Sequence, residues 1–227
     1  ASPTGYLPLA GGTMSGAIAM GASKIPGLAA ASANGDAVRY EQLVSGASLW
    51  QFLRKNAYYF GNQGAGGTGN NGFVGNTLLA SPFFASKAYT VTKMGIYVSV
   101  AYAGQSVRVG IYTDDGTGYP GTLLVDAGAI DCSTTGAKEI TGLSAPLVGG
   151  TLYWLAYVGT SNTIFINLRY IAPDQGGSPN LVGFETSEPL DYINGWSVDF
   201  TYAALPTPFS ASASRALARP NVGIYIT

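Results

Sequence analysis

The stretch Lys93-Met94-Gly95-Ile96-Tyr97-Val98-Ser99-Val100 decides the fold class. Met94, Ile96, Val98 and Val100 alternate with Lys93, Gly95, Tyr97 and Ser99 at a strict period of two, the period at which successive side chains of a strand point to opposite faces of a sheet. Working outward, Val107, Val109 and Ile111 alternate with Arg108, Gly110 and Tyr112, and Leu152, Trp154, Ala156 and Val158 alternate with Tyr153, Leu155 and Tyr157. Ile164, Ile166 and Leu168 make another strand, and Val222, Ile224 and Ile226 close the chain. Turn signals separate these runs: Ala103-Gly104, Asp114-Asp115-Gly116, Tyr119-Pro120-Gly121, Thr135-Gly136 and Gly149-Gly150. Seven or eight short strands at this spacing predict an all-β domain of roughly 150 residues, a β-sandwich or jelly roll. Leu152 to Val158 is apolar at nearly every position, which predicts cover on both faces, one of them by a contact between subunits.

Composition narrows the function classes. Of 227 residues, 47% are apolar and only 10% charged, against about 25% charged in ordinary globular domains. A folded surface of roughly 9,700 Å² for this mass leaves about one charge per 400 Å². Cover by other copies of the chain is the simplest remedy, so the composition predicts an oligomer. The formal net charge of −1 offers no electrostatic attraction for nucleic acid or for anionic membranes. No apolar run approaches the roughly 20 residues of a membrane span. The chain has no histidine, which excludes imidazole triads and histidine-based zinc sites. Cys132, the one cysteine, cannot form an intrachain disulfide and is expected to pack as a small hydrophobe. No cofactor is expected.

Three zones follow one another along the chain. Residues 1–45 are expected to be an extended segment: Leu7, Leu9, Met14, Ile18, Met20, Ile25 and Leu28 dot a background of Ala, Gly, Ser and Thr, with Lys24 the one charge before Asp36. Such a strip cannot bury a core alone, but identical strips can wind together where small residues let backbones approach. Residues 46–72 are expected to form a short helix and a glycine-rich connector. Asp36 with Glu41 reads as a helix start, and Ser48 to Lys55 places Leu49, Phe52 and Leu53 on one helical face. Residues 73–227 hold the sandwich.

Tyr6-Leu7-Pro8-Leu9-Ala10-Gly11-Gly12-Thr13-Met14-Ser15-Gly16-Ala17-Ile18-Ala19-Met20-Gly21, followed by Lys24-Ile25-Pro26-Gly27-Leu28 and Gly35-Asp36-Ala37-Val38, resembles the strand-like repeat of bacteriophage tail fibres. Ala30-Ala31-Ser32 departs from it where the family often has a proline. Val107 to Gly121, Val125-Asp126-Ala127-Gly128, Leu152 to Ala156 and Arg219 to Ile224 are similar to the sandwich at the tips of such fibres. The resemblance implies a homotrimer in which an intertwined N-terminal stalk presents three jelly-roll-like receptor-binding tips to a bacterial surface glycan or outer-membrane receptor. It also implies that the N-terminus joins other tail or baseplate proteins and that the protein resides in the virion after assembly in the host cytoplasm. The absence of histidine and a chain too short for the long β-helices of phage depolymerases lead to the expectation that it is not an enzyme. A structural collar fibre and a small polysaccharide-modifying enzyme are the alternatives.

Candidate binding residues come mainly from the stretch 173–214, which lacks alternation yet is rich in aromatics. Aromatic faces suit the C–H side of a sugar ring, and amides and carboxylates suit its hydroxyls. Trp196, expected to be held outward by the turn Asn194-Gly195-Trp196-Ser197, leads the set. Tyr192, the hairpin-tip Tyr119, Asn194, Asp191, Asp174 and Asn180 complete it. The alternative is that these aromatics pack the loop onto the sandwich or onto a neighbouring subunit. Asp114-Asp115 could contribute to a calcium site, but an ordinary hairpin turn is the stronger reading, and no metal is expected. Glu185, Glu188, Asp191 and Asp199 crowd one region, as paired catalytic carboxylates do, yet polar-loop acids are more commonly solvated turn residues. Gly64 to Gly69 lacks the Gly-Lys-Ser/Thr of a phosphate cradle.

Overall fold

The structure, a computed structural model, describes residues 53–61, 68–73, 75–160, 166–171, 195–216, 219–220 and 222–227. Contacts divide the chain into residues 1–48 and 49–227, and every described residue belongs to the second unit. The shaft segment 1–45 and the helix start at Asp36 therefore lie outside the described residues.

Thirteen strands make up the regular structure among the described residues. They are β1 (Ala57–Phe60), β2 (Thr68–Phe73), β3 (Thr77–Ala85), β4 (Tyr89–Val100), β5 (Ser106–Asp114), β6 (Pro120–Asp131), β7 (Gly136–Leu147), β8 (Thr151–Gly159), β9 (Ile166–Ile171), β10 (Gly195–Asp199), β11 (Ser214–Ala216), β12 (Arg219–Pro220) and β13 (Gly223–Ile226). All pairings are antiparallel. Sheet A runs β1-β13-β4-β9-β12, with β2 on β9 and β7 on β4; sheet B runs β11-β10-β3-β8-β5-β6. The all-β expectation holds.

The period-two strands put their apolar faces where the alternation requires. Met94, Ile96, Val98, Ile224 and Ile226 from sheet A meet Val107, Val109, Ile111, Leu155 and Tyr157 from sheet B in one dry core. Cys132 is buried in it, and burial pushes its thiol up to about 11, as a small hydrophobe's would be. Val100 departs from the alternation: β4 shifts register between Val98 and Val100, and Val100 ends 45% exposed.

Two further expectations are corrected. Leu53, Arg54 and Lys55, the end of the expected helix, are not helical, while Ser48 to Phe52 lie outside the described residues. Leu53 packs against the core as the chain leads into β1, which pairs with the last strand, β13. The stretch read as connector thus supplies β1 and β2, strands whose partners lie about 100 or more residues away, where no local pattern reveals them.

The second correction concerns β8. Its two faces are covered as expected, but the outer cover comes from the same chain. Residues 200–213 form a strap over the outer face of sheet B, where Leu205 and Phe209 join Leu78, Ala80, Tyr112, Trp154, Ala156 and Val158 in a second apolar cluster. The strap is pinned along its length by hydrogen bonds. Phe200 N–H donates to Asn76 O at 2.9 Å and Tyr202 N–H to Asn76 Oδ1 at 2.8 Å. Leu205 N–H donates to Asp126 Oδ2 at 2.9 Å, the same carboxylate that receives Arg108 Nε at 2.8 Å. Farther on, Tyr112 O–H donates to Pro206 O and Phe209 N–H to Gly121 O. Asn76 adopts a φ of 55°, a left-handed conformation asparagine tolerates, and so offers both its oxygens to the strap.

The strap lies so close that a Cβ on Gly110 would stand 2.3 Å from Leu205 Cδ1 and 2.6 Å from Val125 O. Replacing Gly110 with alanine should therefore lower unfolding free energy by about 1–3 kcal/mol through overpacking, measured by urea denaturation. An unchanged midpoint would mean that the strap does not bear on sheet B at this point.

Candidate functional site

The structure brings two of the expected binding residues together, though as packing groups. Tyr119 ends the turn between β5 and β6, and Trp196 sits in β10, a strand rather than a turn. Their ring centroids are 4.5 Å apart. Trp196 is half-buried against the second cluster, with Nε1–H donating to Gly118 O at 3.0 Å. Tyr119 O–H donates to Ser210 O and accepts from Ala213 N–H, tying hairpin to strap. Both rings thus hold the hairpin and strap in place, and the outward-held Trp196 is not found. Tyr192, Asn194, Asp191, Asp174 and Asn180 lie outside the described residues, as do Glu185 and Glu188.

The hairpin acids are taken up by their own turn. Asp114 Oδ1 accepts from Gly116 N–H and Gly118 N–H, and its Oδ2 accepts from Trp154 Nε1–H at 2.9 Å. Asp115 Oδ1 accepts from the Thr117 hydroxyl and N–H, and the hydroxyl bond is the main cause holding its carboxyl below the ordinary aspartate value. These are Asx-turn bonds, so the hairpin reading describes this loop. Among the described residues, no three His, Cys, Asp or Glu side chains gather in a group that could hold a metal ion.

A different surface carries exposed aromatics, on the outer face of sheet A. The registers place Phe60, Gly223, Gly95 and Glu139 in one row across β1, β13, β4 and β7, and Tyr58, Tyr225, Lys93 and Thr141 in the next. The two glycines leave a trough in the middle of this face. Ring atoms of Tyr58 and Phe60 enter it over Gly223, where a Cβ would stand 3.0 Å from Phe60 and 3.2 Å from Tyr58; a Cβ on Gly95 would meet Lys138 O first, at 2.8 Å, with Tyr58 at 3.6 Å. Tyr58 therefore reaches from the edge strand to β7, where its O–H donates to Glu139 Oε2 at 2.5 Å. Lys93 Nζ donates to Glu139 Oε1 at 3.1 Å and stands 5.2 Å from the centre of the Tyr225 ring, which meets Tyr58 edge-on. Phe60 is 40% exposed and Tyr58 36%, and Tyr97, 42% exposed, lies beyond them on β4.

The electrostatics of the face are coupled. Burial, then the hydrogen bond to Glu139, raise the Tyr58 hydroxyl well above the ordinary tyrosine value. That same bond first, then the one from Lys93, hold the Glu139 carboxyl below its ordinary value of 4.5. The result is an exposed surface with aromatic residues beside a hydrogen-bonded charged pair. It suits a ligand with an apolar face and a hydrogen-bonding edge.

None of these residues stood out as a binding group in the sequence. Tyr58 and Phe60 fall in the stretch read as connector, and Lys93 and Glu139 are separated by 46 residues. One signal was present: glycine inside an alternating strand, as at Gly95, marks a close approach by another group.

Two outcomes are expected. Trp196→Ala should cost about 3 kcal/mol, while Phe60→Ala should cost under about 1 kcal/mol, because only the first removes a half-buried, hydrogen-bonded ring. Paired urea denaturation curves measure the difference, and equal losses would contradict the assignment. The second concerns pH. A carboxyl with a depressed folded value contributes fully above its ordinary value and loses that contribution as pH falls through the folded one. The Tyr58–Glu139–Lys93 tether should thus be intact at neutral pH and loosen below pH 4.5, seen as a change in the Tyr58 ring resonances by NMR. Set against protein-family models and curated protein sequences, the chain matches none.

Proposed function

We propose that this chain is the tip of a bacteriophage tail fibre, a trimeric, non-enzymatic adhesin that attaches the virion to a glycan on the host bacterial surface. The N-terminal segment, in this reading, winds with two other copies into a stalk, joins the rest of the tail, and presents three jelly-roll-like tips. Two features of the sequence support it: the fibre-like repeat from Tyr6 to Val38, and the shortage of charge, which association relieves. The observation that carries the binding role is the pair of exposed aromatics Tyr58 and Phe60, packed against Gly223 beside Glu139 and Lys93. Strap cover of sheet B removes one argument for a subunit contact there and leaves that of sheet A available to a ligand. Affinity at each face is expected to be modest, with three copies supplying avidity.

Fluorescently labelled protein should adsorb to susceptible bacteria, and its mass in solution should equal three 23.4 kDa chains. Tyr58→Ala combined with Phe60→Ala should reduce adsorption at least about tenfold, since avidity multiplies each weakened site, while the mass remains unchanged. Absence of adsorption to every strain tested would overturn the adhesin reading, and a stable 23.4 kDa species at micromolar concentration would overturn the trimer.

A further inference from the structure

We infer that the outer face of sheet A binds an uncharged pyranose, seated flat on Tyr58 and Phe60 with neighbouring hydroxyls on Glu139 and Lys93, and that it discriminates against acidic sugars. This deepens the adhesin reading and rests on it for the source of the sugar.

The apolar part comes from backbone geometry. Because Gly223 has no side chain, ring atoms of Phe60 and Tyr58 approach the backbone of β13 closely, while Phe60 and Tyr58 stay 40% and 36% exposed. A pyranose presents a flat C–H face of similar size to a phenyl ring, and stacking of that kind needs the aromatic to be held in plane. Phe60 and Tyr58 both pack against Gly223, and Tyr58 is further tied by its bond to Glu139.

The polar part comes from what the charged pair leaves unused. Glu139 accepts one hydrogen bond from Lys93 and one from Tyr58, which leaves lone pairs on both carboxylate oxygens. An ammonium has three N–H donors, and Glu139 engages one of those of Lys93. Acceptors and donors therefore sit side by side within about 3 Å, matching two adjacent hydroxyls, each of which donates and accepts. Lys93 and Glu139 side chains are 34% and 44% exposed, so both can reach a ligand without leaving each other. Their charges cancel. A carboxylate or sulfate brought to Lys93 meets Glu139 at nearly the same distance, and attraction is offset by repulsion. A second copy of this chain is a less suitable occupant, because it would strip water from a charged pair at the centre of its contact, where protein interfaces are depleted of charge.

The test uses the full chain and isothermal titration with linear hexasaccharides of glucose, galactose, mannose and rhamnose, and with hexagalacturonate as the acidic probe. At least one neutral hexamer should bind, with hexagalacturonate about tenfold weaker or more, and Phe60→Ala should weaken the neutral probe by about tenfold as its stacking surface is lost. Glu139→Gln should tighten hexagalacturonate several-fold by leaving Lys93 uncompensated, a gain that structural damage does not produce. Failure of all four neutral hexamers, equal or tighter binding of the acidic probe to the native chain, or an unaffected Phe60→Ala variant would each overturn the inference. So would concentration-dependent self-association abolished by Phe60→Ala without sugar binding, which assigns the face to a second copy. Continued adsorption to cells when the sugars fail overturns the sugar assignment alone. Neutral-sugar binding without adsorption to any cell overturns the adhesin instead.

Discussion

Sheet B is apolar on both faces, and such a sheet persists in water only if something dry lies against each side. Sheet A covers one side. The other is covered by a segment with almost no regular structure, residues 200–213, whose backbone polar groups must be satisfied while its side chains are buried. Asn76, Asp126, Tyr112, Gly121 and Tyr119 provide those partners, all from strands of sheet B or the turns beside them. Asp126 holds the centre of the arrangement because one carboxylate binds Leu205 N–H, Gly128 N–H and the Arg108 guanidinium. Removing it would leave a half-buried cation and two amides unpaired at once.

Sheet A solves its outer face differently. With β1 at one edge and β7 at the other, it has no strap among the described residues, and its middle is built from glycine. Aromatic rings from the edge strand fill the trough and remain open to solvent above. The few charges of this chain are placed accordingly. Arg108 with Asp126 anchors the buried side, and Lys93 with Glu139 fixes the ring of Tyr58 on the open side. A composition so short of charge is thus consistent with two sheets of which one is covered by its own chain and the other exposes aromatic residues.

Legibility in the sequence followed the range of the interactions. The alternation of Met94, Ile96 and Val98, of Val107, Val109 and Ile111, and of Ile224 and Ile226 reports which side of a strand is dry, and those residues are buried together. Leu152 to Val158 showed equally that β8 is covered twice. It could not show by what, since a strap from about 50 residues onward and a neighbouring subunit impose the same apolar pattern. Trp196 illustrates the converse: an aromatic beside Asn-Gly suggests a turn, whereas pairing with Ala80 of β3 draws it into a strand and against Tyr119.

The amino-acid sequence by itself determined that this domain is all-β, that Met94, Ile96, Val98, Val107, Val109, Ile111, Ile224 and Ile226 face inward, and that the Asp114–Asp115 hairpin would satisfy its own acids, because each depends on period or on neighbours a few residues apart. Only the tertiary structure decided that residues 200–213 close sheet B and that Tyr58, Phe60, Lys93 and Glu139 share one face over Gly95 and Gly223. Those outcomes depend on strand order and register, which are set by the packing of distant segments and leave no periodic trace in the chain.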